Sequence, residues 1–187
     1  LSTQMLETMQ IKAVPLSVNF RGKMLDDSVD AGIQEIYAGL RAGEAASTSA
    51  VNPDRWAAMM EESLKAGLDV LAVTFSSGLS ATYQSAVIAA EDLRETYPDR
   101  KILVVDSLCA SLGQGLLLYY AAQKRDEGLS LEELAAWLEE NKLKLHHWFF
   151  STDLSTFVRG ASMEVMAEIE AACKLKFTDI VNNSNLG

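Results

Sequence analysis

Asp69-Val70-Leu71-Ala72-Val73-Thr74-Phe75, running straight into Ser76-Ser77-Gly78-Leu79-Ser80-Ala81-Thr82-Tyr83, is the stretch from which the fold can be read. A short apolar run closed by a glycine-containing polar loop reads as a buried strand. Tyr83, Ala86, Val87 and Ala90 then recur at helical spacing. The unit is therefore strand, loop, helix. Ile102–Val105 opens a second one, passing through Asp106-Ser107 into Leu112–Arg125, a helix apolar nearly all round. Gly128 ends that helix. Ser130 and Glu133 form a capping box for the next, whose expected buried face is Leu131, Leu134, Ala135 and Leu138. Upstream, Ile11–Val18 is a β-rich run whose Pro15 makes it short or places it at a sheet edge. Ile33, Ile36, Tyr37 and Leu40 mark one helical face. Trp56, Met59, Met60 and Leu64 mark another, entered through Asn52-Pro53-Asp54 and stopped at Gly67. Leu145–Phe150 reads as a further strand, Met163–Cys173 as a last helix, and Asn182-Asn183-Ser184-Asn185 as a polar tail. Strands separated by helices in this rhythm make βαβ units, so the expected class is α/β, a parallel sheet flanked by helices.

The bulk properties narrow the function. The chain has 187 residues, 49% of them hydrophobic and 22% charged, which is ordinary globular composition. Its formal charge of −10 disfavours any broad contact with nucleic-acid phosphate or anionic lipid. The longest apolar run, Leu116–Ala122, falls well short of the roughly 20 residues a membrane span needs, so no membrane insertion is expected. The opening residues are amphipathic rather than basic then apolar, so no secretory signal is read and a cytoplasmic location is expected. Cys109 and Cys173 are too far apart for a CxxC site and read as reduced thiols in or near the core.

In a parallel sheet, ligands bind beyond the carboxyl ends of the strands. That draws attention to the loops 75–83 and 105–111, and to Ala46-Ser47-Thr48-Ser49 ahead of the Trp56 helix. The first loop suits a small anion. Gly78 permits a sharp turn, the following helix offers N–H groups and the positive end of its dipole, and Ser76, Ser77, Ser80 and Thr82 add hydroxyls. With no Lys or Arg near it in sequence, the loop fits one carboxylate better than a triphosphate. Ser80 can equally be a plain N-cap, which is the commoner use of a serine there. Asp106 can hold a ligand hydroxyl, but such an Asp more often caps a helix or ties a loop. His146 and His147, adjacent in an expected strand, point to opposite faces and cannot jointly bind a metal. No dinucleotide, P-loop, nucleophile-elbow or HExxH motif is present, and no Cys/His/carboxylate cluster has metal spacing. Neither a cofactor nor a metal is therefore expected.

Taken in order, these segments resemble the DegV family. Val14-Pro15-Leu16-Ser17-Val18 is similar to its early "VPLxV" strand, and Thr48-Ser49 with Pro53 and Trp56 to its "TSQPSPxxF" segment. Ser76-Ser77-Gly78-Leu79-Ser80-Ala81-Thr82-Tyr83-Gln84-Ser85-Ala86 resembles the "SSxLSGTYxxA" loop, the most specific piece. Val104-Val105-Asp106-Ser107 is similar to the "VxDS" strand end, and Asp153-Leu154 with Phe157-Val158-Arg159-Gly160 to the start of "DTLxxLxxGGRI".

The resemblance implies a protein that binds a long-chain fatty acid between two α/β domains. It would serve as the binding subunit of a fatty acid kinase system, whose separate ATP-binding fatty acid kinase subunit phosphorylates the presented carboxylate. On this reading the chain is no enzyme on its own. Thr48 and Ser80 would grip the carboxylate, Ser49, Ser77, Gly78 and Thr82 would complete the site, and the acyl tail would lie along Met- and Leu-rich helices. Residues 1–150 would form the N-terminal domain and 151–187 part of a C-terminal one. The sequence departs from the family pattern at Ala81, where Gly is usual, at Ala50-Val51 in place of "QP", and after Gly160. The alternatives are a small-molecule enzyme acting on a carboxylated or phosphorylated substrate through Asp106, and a non-catalytic interaction domain.

Overall fold

A computed structural model describes residues 1–26 and 30–147. The chain divides into two compact units, Leu1–Lys144 and Leu145–Gly187, and every described helix and strand belongs to the first. The expected strand over Leu145–Phe150 is described only to 147, where the chain is irregular, and the helix over Met163–Cys173 and the polar tail lie outside the described residues.

The elements in order are α1 (Thr3–Thr8), β1 (Ser17–Phe20), β2 (Lys23–Asp26), α2 (Asp30–Arg41), β3 (Ala46–Ser49), α3 (Pro53–Lys65), β4 (Val70–Thr74), α4 (Thr82–Thr96), β5 (Ile102–Asp106), α5 (Ser111–Asp126) and α6 (Leu131–Asn141). β4 and β5 pair in parallel, with Val70 opposite Ile102 and Thr74 opposite Asp106. Val70, Ala72, Ile102 and Val104 share one face, where they join Met60 and Leu64 of α3 and Ala86, Ala90 and Leu93 of α4 in one apolar cluster. Strand alternation turns Leu71, Val73, Leu103 and Val105 the other way. There α6 packs on both strands and α5 on α6, burying Leu117, Ala121, Leu134 and Leu138. This is the expected α/β layering, a parallel sheet between helices.

Local signals act where the sequence placed them. Asn52 accepts from Arg55 N at the start of α3, with Pro53 in the first turn. Ser130 and Glu133 close the full capping box on α6. Gly128, at φ +100°, takes the left-handed conformation after α5 that glycine tolerates.

Of the expected β-rich run Ile11–Val18 only Ser17 and Val18 are strand, and two further features differ from the expectation. β1, β2 and β3 form a separate antiparallel sheet in the order β2-β1-β3, with Val18 opposite both Leu25 and Thr48. The hairpin turns on Arg21 and Gly22, both at positive φ (51° and 73°), the geometry of a two-residue primed turn. An Arg in that turn carries little sequence signal, because Asn or Asp usually announces it. The second concerns α5, which is not buried all round: Leu112 is 81% exposed and Leu116 43%.

Candidate functional site

Five polar side chains are buried among the described residues: Thr74, Ser76, Thr82, Asp106 and Ser107. Four lie at the carboxyl edge of the β4–β5 sheet or in the turns leaving it and Thr82 opens α4, and burial without partners would be costly there. The two loops satisfy one another. Ser76 N donates to Cys109 O at 3.1 Å and Ser107 N to Thr74 O at 3.3 Å. Asp106 Oδ1 accepts from Ser77 N at 3.1 Å and from Leu108 N at 3.0 Å. Cys109 is buried beside Asp106, and burial pushes its thiol above the ordinary range.

The expected N-cap role of Ser80 is not what forms. Ala81 occupies the N-cap position of α4, and no side chain caps the helix from there. Ser80 Oγ instead accepts from Thr82 N at 3.2 Å and meets Thr82 Oγ1 at 2.8 Å. Thr82 Oγ1 also accepts from Val51 N at 3.4 Å, tying the strand-β3 segment to the start of α4. Counting protons gives the pair its chemistry. Each hydroxyl already takes one backbone N–H, one hydroxyl proton closes the Ser80–Thr82 bond, and the second remains to be donated. The pair is thus an uncharged donor at a helix N-terminus, a setting that favours an anion.

Beside it is a cavity of about 530 Å³, within the range of small-molecule sites. Its wall is mainly apolar, with Leu1, Leu6, residues 11–16, Trp56, Val73, Phe75 and Leu118. Thr74, Thr82, Ser111 and Gln114 add polar groups from the sheet edge. Gln114 Nε2 is turned to Val73 O at 3.2 Å. Lys12, the lining cation, pairs with Glu62 at 2.8 Å and holds that carboxyl below its ordinary range.

Of the six residues expected from sequence, Thr82 lines this cavity and Ser80 is half-buried against it through their shared hydrogen bond. Thr48 and Ser49 are exposed on β3, and Ser77 and Gly78 are exposed in the turn after β4. Ser77 enters the network by its N–H. The lining comes from the opening segment, the end of β4, Trp56 of α3 and the first two turns of the leucine-rich α5, and no methionine is among the lining residues. Sequence reading missed Val51 and Thr74, and singled out the 105–111 loop without giving Ser111 a role, since these positions depend on how the loops fold together. Among the described residues no group of His, Cys, Asp and Glu is placed to hold a metal ion, and no helix is long and apolar enough to cross a membrane. His146 is exposed and His147 half-buried, in irregular chain.

A family model described as "Uncharacterised protein, DegV family" matches residues 1–172. A DegV domain-containing protein of Clostridium perfringens is 41% identical over 169 residues, covering 89% of this chain and 58% of its own length. Among solved structures, one described as fatty acid binding of a DegV family protein from Thermus thermophilus is similar, with 33% identity and a TM-score of 0.75 over 86% of this chain and 56% of that one. The Streptococcus pneumoniae fatty acid kinase B3 protein loaded with linoleic acid gives a TM-score of 0.63 at 27% identity, over 71% of this chain and 46% of that one. This chain belongs to the DegV family. It spans a little over half the length of the first curated relatives it matches.

Proposed function

We propose that this chain binds a long-chain fatty acid by its carboxylate and presents it to an ATP-binding fatty acid kinase subunit. The observation that carries the reading is the Ser80–Thr82 hydroxyl pair, with one proton left to donate, at the start of α4, where Ala81 offers no side-chain cap. A neutral donor pair suits a single carboxylate, and the helix dipole adds to the attraction. The apolar wall beside it suits an acyl tail, where each buried methylene contributes about 0.8 kcal/mol. On that scale the tail supplies most of the affinity and the hydroxyls fix which end is held. The Thermus thermophilus relative, described as binding fatty acid, and the Streptococcus pneumoniae fatty acid kinase protein support the same ligand and partner.

Thr48 and Ser49 join the site from β3, Ser77 and Gly78 from the turn, in a cytoplasmic protein whose residues from 151 onward belong to a second domain. Asp106 in acid–base catalysis draws no support from its bonding, because its Oδ1 is already engaged by two backbone N–H groups.

The test is a Thr48→Ala, Ser80→Ala double variant, purified beside the wild type and extracted for bound lipid. Loss of fatty acid with unchanged far-ultraviolet circular dichroism is the expected result. Full retention in the folded double variant would remove these residues from the site.

A further inference from the structure

The loop that carries Ser80 closes its own turn, with Gly78 N on Ser76 Oγ and both Leu79 N and Ser80 N on Ser76 O, but the turn as a whole is held against the sheet edge from outside it. It is tied to the end of β5 and the loop after it by Ser77 N on Asp106 Oδ1 and Ser76 N on Cys109 O. The Asp106 oxygen that takes Ser77 N also takes Leu108 N, from its own loop, so one buried atom fixes the separation of the two turns. Leu108 sits at φ +50°, a left-handed conformation that a leucine adopts only where its surroundings require it. Ser76 N–Cys109 O closes the same ring from the other side. A carboxylate is an unexpected choice beside a site for an anion, because its charge opposes the ligand's.

We propose that Asp106 is a positioning residue for the carboxylate site: its Oδ1 sets the loop that carries Ser80, and its negative charge is dispensable. This role rests on the fatty-acid reading and goes beyond it, by separating the acceptor atom, which the site needs, from the charge, which it does not. Asn keeps an Oδ1 acceptor in the same place with no charge. Glu keeps the charge and moves the acceptor by one methylene.

The experiment measures oleate affinity of the full chain by isothermal titration for wild type, Asp106→Asn and Asp106→Glu, each checked for folding by its thermal melt. Asp106→Asn is expected to bind as well as wild type or better. Asp106→Glu is expected to bind about 10-fold more weakly or worse, the scale of one charge-assisted hydrogen bond. In hydrogen exchange followed by nitrogen-15 spectra, the Ser77 and Leu108 amides are expected to keep their protection in Asp106→Asn and to lose it in Asp106→Glu. The reverse order of affinity would overturn the proposal, since the charge would then be the essential feature. Equal affinity in both folded variants would overturn it too, leaving Asp106 a purely structural residue. Wild type that takes up no oleate is a separate failure, of the fatty-acid reading itself, and the positioning role falls with it.

Discussion

Replacing Thr82 with Val removes one hydroxyl and almost nothing else, so stability and binding should separate cleanly. On the stability side, Val51 N loses its acceptor in a buried position. An unsatisfied buried donor costs about 1–3 kcal/mol, and the 3.4 Å length of this bond places the loss near 1. The added methyl group returns up to about 0.8 kcal/mol where it packs, Thr82 being only 3% exposed. Loss of the Ser80 Oγ–Thr82 Oγ1 bond adds about 0.5–1.5 kcal/mol, so the net change is about 1–2 kcal/mol, a shift in melting temperature of about 2–8 °C for a chain of this size. On the binding side, the Ser80–Thr82 pair is broken: Ser80 keeps its own proton but loses the partner that orients it toward a ligand. A hydrogen bond to a charged group is worth about 1.5–3 kcal/mol, which is roughly 10-fold to 100-fold in affinity. The assay is a fluorescence titration with a long-chain fatty acid, using the indole of Trp56 in the cavity wall as reporter, alongside a thermal melt. Unchanged affinity in a folded Thr82→Val variant would refute the hydroxyl-pair argument. So would a weakening accompanied by a loss of stability beyond that range, since binding would then only be reporting damage to the fold.

Two further outcomes concern the scaffold. Ser130→Ala removes the side chain that caps α6, and should lower stability by about 1 kcal/mol in a urea titration while leaving fatty acid affinity unchanged. Cys109 is buried, and burial raises its thiol above the range of an unfolded cysteine. A thiol that holds its proton more tightly when folded contributes stability below the unfolded pKa, about 8.5, and that contribution is lost as pH rises past it. Cys109→Ala should therefore flatten the alkaline fall in stability relative to wild type between about pH 8 and 10. A difference between the two proteins that stays constant across that window would count against the burial.

Much of the layered core was legible because its signals are local. The apolar runs of β4 and β5, the Asn52-Pro53 entry to α3 and the Ser130–Glu133 box each need only a few neighbouring residues, and each forms as read. The antiparallel sheet was not legible. Ala46-Ser47-Thr48-Ser49 has almost no apolar side chains, and it is a strand only because Ser17–Phe20 is there to pair with it. The β1–β2 hairpin was hidden by Arg21 in its turn. At the site, the hydroxyl-rich loop could be found from composition and spacing. The role of Ser80 could not, since capping and pairing with Thr82 use the same residue types and differ only in how the backbone enters α4. Asp106 was readable as a loop tie, the commoner use of such a residue, but its reach to Ser77, 29 residues away, required the parallel register of β4 and β5.

Native mass spectrometry of the purified chain, followed by solvent extraction of whatever is released, tests the central claim most directly. The account predicts a mass excess close to one ligand per chain that resolves into long-chain fatty acids, or such an excess after incubation with oleate. A chain that stays at its bare mass in both conditions would contradict it.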